Sequence, residues 1–179
     1  MTTAVLVIDV QQALCAGAEV VFDAAGVIGR INAICAKAQA AGAPVVFIQH
    51  EEADGDFKFG SDGWQLASSL ETGPGDVRVR KTTPDSFHRT ELQGLLQARG
   101  ITHLVVCGLQ TDFCVDTTVR RALALGYEVV LAADAHSTVD NWVLSATQII
   151  AHHNTTLSNL SSFGPRARLM LAEEIAIEA

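Results

Sequence analysis

Short unbroken aliphatic runs alternate along this chain with longer stretches in which apolar residues recur every three or four positions. Ala4 to Val10, Val45 to Ile48, Leu104 to Cys107 and Tyr127 to Ala132 are of the first kind, the pattern of strands buried on both faces of a parallel sheet. The stretch from about Ala24 to Ala41 places Val27, Ile28, Ile31, Ile34, Cys35 and Ala38 on one helical face, and Gly42 with Pro44 supplies a stop. A second helix is expected over Thr90 to Arg99, with Leu92, Leu95 and Leu96 inward and Gly100 ending it. A third begins near Asp112, with Val115, Val119, Ala122 and Leu123 inward and Gly126 closing it. A fourth runs over Val143 to His152, with Leu144, Ile149 and Ile150 inward.

Val77 to Arg80 alternates as a short strand does, Thr155-Thr156-Leu157 reads as a short last strand, and Leu169 to Ile177 as a closing helix. Strands alternating with helices predict an α/β fold. It is doubly wound, with a mainly parallel six-stranded sheet and helices on both faces. The first strand, helix and second strand form a right-handed crossover unit. Gln49 to Gly75 is too long for a simple connector and carries Phe57, Phe59, Trp64 and Leu66, so it is expected either to wall a pocket or to pack as a satellite cluster.

Composition narrows this picture. With 179 residues, 49% hydrophobic and 18% charged, the chain is read as one domain, residues 1–179, with a proper core. The net charge of −8 and the lack of a basic run beyond Arg78-Val79-Arg80-Lys81 and Arg120-Arg121 argue against a nucleic-acid partner. No apolar run reaches membrane-spanning length, and Ala4 to Ile8 follows the start without a basic leader, so no membrane partner and a cytoplasmic location are expected. The cysteines, Cys15, Cys35, Cys107 and Cys114, form no C-x-x-C pair, which signals neither a zinc site nor a dithiol motif.

Candidate chemistry gathers where strands end. Gly108 breaks the Leu104 to Cys107 run, and Cys114 then falls in the first turn of the following helix. Unpaired N–H groups and the helix dipole there favour a thiolate. The competing reading is a small buried packing residue. Asp9 ends the first strand and is either a functional carboxylate or a loop hydrogen-bond acceptor. Lys81, just past another strand, is either functional or a solvated charge. All three fall at one edge of one sheet, and their chemistry is complementary: a carboxylate to take the thiol proton, an ammonium to hold the thiolate.

Leu6-Val7-Ile8-Asp9-Val10-Gln11, Arg80-Lys81 with Ser86-Phe87, Gly108 to Val115 with Thr118, and Gly126-Tyr127-Glu128-Val129 leading to Asp134-Ala135 occur in an order that resembles the isochorismatase-like cysteine hydrolases. That superfamily contains nicotinamidases, N-carbamoylsarcosine amidase and ureidoacrylate hydrolases. The resemblance implies a three-layer α/β/α, Rossmann-like fold and an Asp9, Lys81, Cys114 triad. It also implies a cis peptide at Leu109–Gln110 that aims the Gln110 N–H, with that of Cys114, into an oxyanion hole. Phe59 to Leu66, Ala135 to Thr138 and Gln148 to Asn154 resemble a branch that includes streptothricin hydrolase-like amidases.

The implied function is hydrolysis of a C–N bond in a small amide, carbamoyl or cyclic amide compound through a thioester on Cys114. A thiol-dependent acyl transferase and a catalytically silent binding or scaffold member are the alternatives. Metal-binding nicotinamidases carry an Asp-x-His pair after the second strand, and this chain reads Gln49-His50-Glu51-Glu52 there, so no metal and no cofactor are expected. Candidate pocket residues are Gln11, Cys15, His50, Trp64, Phe87, Phe113 and His136. Core packing competes for Trp64, Phe87 and Phe113, loop packing for His50, and a hydrogen-bonded structural role is favoured for His136. His152-His153 read as a surface or interface pair, and Cys35 and Cys107 as packing residues. A homodimer or homotetramer is expected.

Overall fold

The structure, a computed structural model, describes residues 2–178. Strands β1 (Thr3–Ile8), β2 (Val45–His50), β3 (Val77–Lys81), β4 (His103–Leu109), β5 (Glu128–Ser137) and β6 (Ala167–Met170) form one sheet in the order β3-β2-β1-β4-β5-β6. Every neighbouring pair is parallel. The order reverses between β1 and β4. Chains leaving those two strands diverge to opposite sides, which opens a crevice at their C-terminal ends. Strands β3 and β6 are the two edges.

Period-two alternation divides each strand between two cores. From β1, Val5 and Val7 face a cluster with Val27, Ile31 and Ile34 of α2 (Ala24–Ala40). Ala4, Leu6 and Ile8 face the other cluster, with Leu92 and Leu96 of α3 (Leu92–Ala98) and Val119 and Leu123 of α4 (Asp116–Ala124). Helix α5 (Ala146–Ser158) adds Leu157 to that second side. The result is three layers, α/β/α, with the short α1 (Gln12–Cys15) at the exit of β1.

Three elements differ from the sequence reading. Thr155-Thr156-Leu157 belongs to α5: the Ser145 side chain accepts from the Gln148 N–H and the Gln148 side chain from the Ser145 N–H. That capping box starts the helix at Ala146, and burial of Ala146, Ile149 and Leu157 carries it through the β-branched threonines. Leu144 therefore precedes the helix.

The sixth strand is Ala167–Met170, and no helix forms over Leu169 to Ile177. Instead the Lys37 ammonium donates to the carbonyls of Ala172, Glu173 and Ile175, and Asp134 accepts the Ala172 N–H. Those bonds occupy backbone groups that helical turns would use. Strand β5 also runs on to Ser137, so Asp134 to Ser137 lie inside the sheet, with Gly108 opposite His136.

Candidate active site

Asp9 leaves β1 with φ 51°, a left-handed conformation that aspartate tolerates better than most residues. Its N–H donates to the Ile48 carbonyl at 2.8 Å, and its own carbonyl accepts from Gln11 N–H at 2.8 Å. This turn points the carboxylate into the protein at the end of the central strand, where it is 2% exposed. Lys81 is the last residue of β3, and its side chain is equally shut off from solvent. A buried ammonium requires acceptors, and Lys81 Nζ has three: Asp9 Oδ2 at 2.6 Å, Cys114 Sγ at 3.2 Å and His50 Nδ1 at 3.3 Å.

Cys114 arrives from β4 through the cis peptide that the resemblance implies, and then through a π-turn in place of the first α-helical turn that the residue pattern suggests. The Leu109–Gln110 peptide is cis, and the following segment, Thr111–Val115, is a π-turn closed by Val115 N–H donating to the Gln110 carbonyl. Only then does α4 begin at Asp116. Gly108 lets this happen. It has φ 119°, and a Cβ there would be driven into the Ile8 carbonyl, so β4 closes on β1 at that point only with glycine.

The thiol is not biased towards thiolate as its place in a first helical turn suggests. Burial, and then the Asp9 charge, push Cys114 up to about 12, while Lys81 pulls the other way. The resting sulfur is therefore a thiol at neutral pH. Asp9 Oδ1, buried with no hydrogen-bond partner, is the free acceptor in the cluster.

Surrounding polar groups fix the three elements relative to one another. His136 is buried, with Nδ1 2.9 Å from Thr111 Oγ1 and Nε2 2.9 Å from Asn154 Oδ1. Asn154 Nδ2 donates to the Ala133 carbonyl, so its Oδ1 is the acceptor for Nε2–H, and Nδ1 accepts from Thr111. Burial holds this imidazole down to about 4, hence neutral. His136 thus braces the start of the π-turn, and its ring nitrogens are both occupied. Thr138 Oγ1 donates to Asp112 Oδ1 at 2.6 Å, a second brace from the residue that follows the same strand. Ser86 and Thr118 hydroxyls, 2.7 Å apart, tie the chain leaving β3 to α4.

The other pocket candidates scatter. Gln11 is a strut: its amide donates to the carbonyls of His50 and Trp64 and accepts the His50 N–H. Trp64 is nearly buried, edge-on to Phe59 at 4.8 Å, and Arg80 stacks over the Phe59 ring at 4.5 Å. The long loop after β2 is in this way strapped to β3. Phe87 is taken up by the core, stacked on Tyr127 at 5.9 Å. Cys15 packs beside the α2 core, and burial pushes its thiol up to about 11. Phe113, next to the nucleophile candidate, is exposed, and His50 joins the Lys81 cluster.

Sequence reasoning singled out neither Thr111 nor Asn154, although both lie in segments that carry the resemblance, nor Glu52, whose Oε1 is 3.4 Å from His50 Nε2. Each acts by holding another side chain, and a residue of that kind leaves no spacing signal. Among the described residues no group of three or more His, Cys, Asp or Glu side chains is gathered closely enough to hold a metal ion, and no helix is long and apolar enough to cross a membrane.

Comparison with known proteins gives a consistent result. The Isochorismatase domain family matches residues 3–161. A streptothricin hydrolase of Streptomyces noursei is 46% identical over 138 residues, 76% of this chain and 50% of that protein. The chain spans about half the length of the streptothricin hydrolases it matches. A ureidoacrylate amidohydrolase of Caulobacter vibrioides is 30% identical over 171 residues, covering 75% of this chain and 76% of its own length. The crystal structure of an isochorismatase family protein superposes with a TM-score of 0.85 at 36% identity, over 94% of this chain and 97% of the other.

Proposed function

The chain belongs to the isochorismatase family, and from that premise we propose that it is a cysteine hydrolase. It cleaves the C–N bond of a small amide, carbamoyl or cyclic amide compound through a thioester on Cys114. The observation that carries this reading is the buried Lys81 ammonium, held between the Asp9 carboxylate and the Cys114 sulfur. Two relatives are named for hydrolysis, of streptothricin and of ureidoacrylate, the second as an amidohydrolase.

Charge balance explains how a thiol pushed up to about 12 serves as a nucleophile. Losing its proton to solvent leaves the buried cluster with one more negative charge, which burial opposes. Passing the proton to Asp9 does not. Carboxylate, ammonium and thiol become carboxylic acid, ammonium and thiolate, with the same net charge. Lys81, within reach of both anions, stabilises either arrangement.

The reaction then runs in two halves. Asp9 takes the Cys114 proton as the sulfur adds to the substrate carbonyl, and the oxyanion is held by the N–H groups of Gln110 and Cys114. Such donors are typically worth about 3–4 kcal/mol each. The intermediate collapses with loss of the amine, which carries away the Asp9 proton. Water then gives a proton to Asp9 and its oxygen to the thioester carbon, the acid leaves, and the proton returns to Cys114.

The test is release of ammonia or amine from a panel of nicotinamide, N-carbamoyl compounds, ureidoacrylate, formamides and lactams, by the wild type, Cys114→Ala and EDTA-treated protein. Release that survives EDTA and disappears in Cys114→Ala is expected. Turnover retained in Cys114→Ala overturns the nucleophile, and turnover abolished by EDTA overturns the metal-independent reaction. Product formed only when an amine or thiol acceptor is added replaces hydrolysis with acyl transfer.

A further inference from the structure

The mechanism above leaves one member of the cluster without a task. Lys81 Nζ has three hydrogens and, in its buried position, three partners, the third being His50 Nδ1 at 3.3 Å. An ammonium only donates, so Nδ1 must be bare and the imidazole proton must sit on Nε2. That nitrogen lies 3.4 Å from Glu52 Oε1, the acceptor such a tautomer needs. The ring is further fixed edge-on against Phe57 at 5.6 Å. Its backbone N–H and carbonyl are both held by the side-chain amide of Gln11, two residues beyond Asp9.

We propose that His50 is a positioning residue: its bare Nδ1 holds one Lys81 hydrogen and so aims the other two at Asp9 and Cys114, with Glu52 selecting the tautomer. This rests on the reading of Cys114 as nucleophile and Lys81 as its counter-ion. The geometric reason is direct. Three tetrahedrally arranged N–H bonds are fully committed only when three acceptors surround the nitrogen. With the third removed, the buried ammonium turns to share hydrogens between the two remaining acceptors, and the contact to sulfur, a weak acceptor in competition with a carboxylate, is the one that yields. His50 touches neither the sulfur nor, on this account, the substrate. Its influence is on thiolate formation.

The experiment compares wild type with His50→Leu, His50→Asn, Glu52→Ala and Lys81→Met, all checked for folding by circular dichroism. Cys114 alkylation by iodoacetamide at pH 8 is followed at the peptide level, so that Cys15 is scored separately. It needs no substrate and reads the coupling whether or not the amide panel turns over. Removing the acceptor is expected to slow alkylation about tenfold, equivalent to about one pKa unit, with Lys81→Met slower still. His50→Asn, whose Oδ1 falls near the place of Nδ1, is expected to recover most of the rate, and Glu52→Ala to show a smaller loss.

With a substrate from the panel, kcat falls in His50→Leu and KM stays within about threefold. The proposal is overturned if His50→Leu alkylates and turns over as the wild type does, or if Leu and Asn are equally impaired. Either result leaves the Cys114 reading standing, since Cys114→Ala tests that separately.

Discussion

The buried imidazole of His136 makes the stability of the whole protein depend on pH in a way that one substitution removes. In the native state burial holds it down to about 4, against an ordinary value of 6.5. Below 6.5 the unfolded chain takes up a proton that the native state refuses, so stability is lost as pH falls and the loss levels off below 4. At about 1.4 kcal/mol per unit of separation, this one group withdraws about 2 kcal/mol by pH 5 and about 3 kcal/mol by pH 4. The perturbation is His136→Gln, which keeps a donor for Asn154 and gives up the acceptor for Thr111, at a cost of about 1–2 kcal/mol at neutral pH. Urea unfolding of both proteins is measured from pH 7 to pH 4.5 by the fluorescence of Trp64, which is buried. Subtracting the two series cancels the carboxylates that titrate in both. The wild type is expected to lose its advantage steadily below pH 6.5, and the variant, whose stability falls less steeply, to become the more stable of the two between about pH 6 and pH 5. Parallel curves between pH 7 and pH 5 would refute the reasoning, because they would mean that His136 is no harder to protonate folded than unfolded.

Two further substitutions test how the scaffold is held. Gly108→Ala drives a Cβ into the Ile8 carbonyl at a positive φ, and is expected to lower stability by more than about 2 kcal/mol, read as a fall in thermal midpoint. A variant melting within a degree or two of the wild type rules out the close approach. Ser145→Ala removes one half of the α5 capping box and is expected to lose about 1 kcal/mol, with Ser145→Asp recovering most of it; equal melting of all three proteins contradicts the cap.

What the sequence made legible is what burial alone determines. The aliphatic runs of β1, β2 and β4 and the inward face of α2 follow from residues that have nowhere else to go. Asp9, Lys81 and Cys114 could be placed at one sheet edge for the same reason, and the structure brings them within hydrogen-bonding reach. Competing local signals decided the failures. Thr155 and Thr156 favour a strand by their own chemistry, and the Ser145 cap ten residues upstream overrides them. The apolar spacing of Leu169 to Ile177 looks helical until Lys37, 135 residues or more away in the chain, claims its carbonyls. The state of the Cys114 proton was beyond any local reading. It depends on how deeply the sulfur is buried and on a carboxylate from another strand.

The outer strands of the sheet, β3 and β6, have a consequence for how copies of this chain meet. An uncovered strand edge offers backbone hydrogen bonds to any other strand, and is the usual route to fibrous aggregation. Here β3 exposes Arg78 and Arg80, and β6 exposes Arg168, two residues after the exposed Arg166. In a chain with only 12 basic residues and a net charge of −8, positive charge has been placed on both rims. Joining one edge to another would bring Arg78 or Arg168 against like charge, which opposes strand addition; Arg80 contributes less, being held by Glu51 and Phe59. Contact between copies is thereby steered from the strand edges towards the helices and loops.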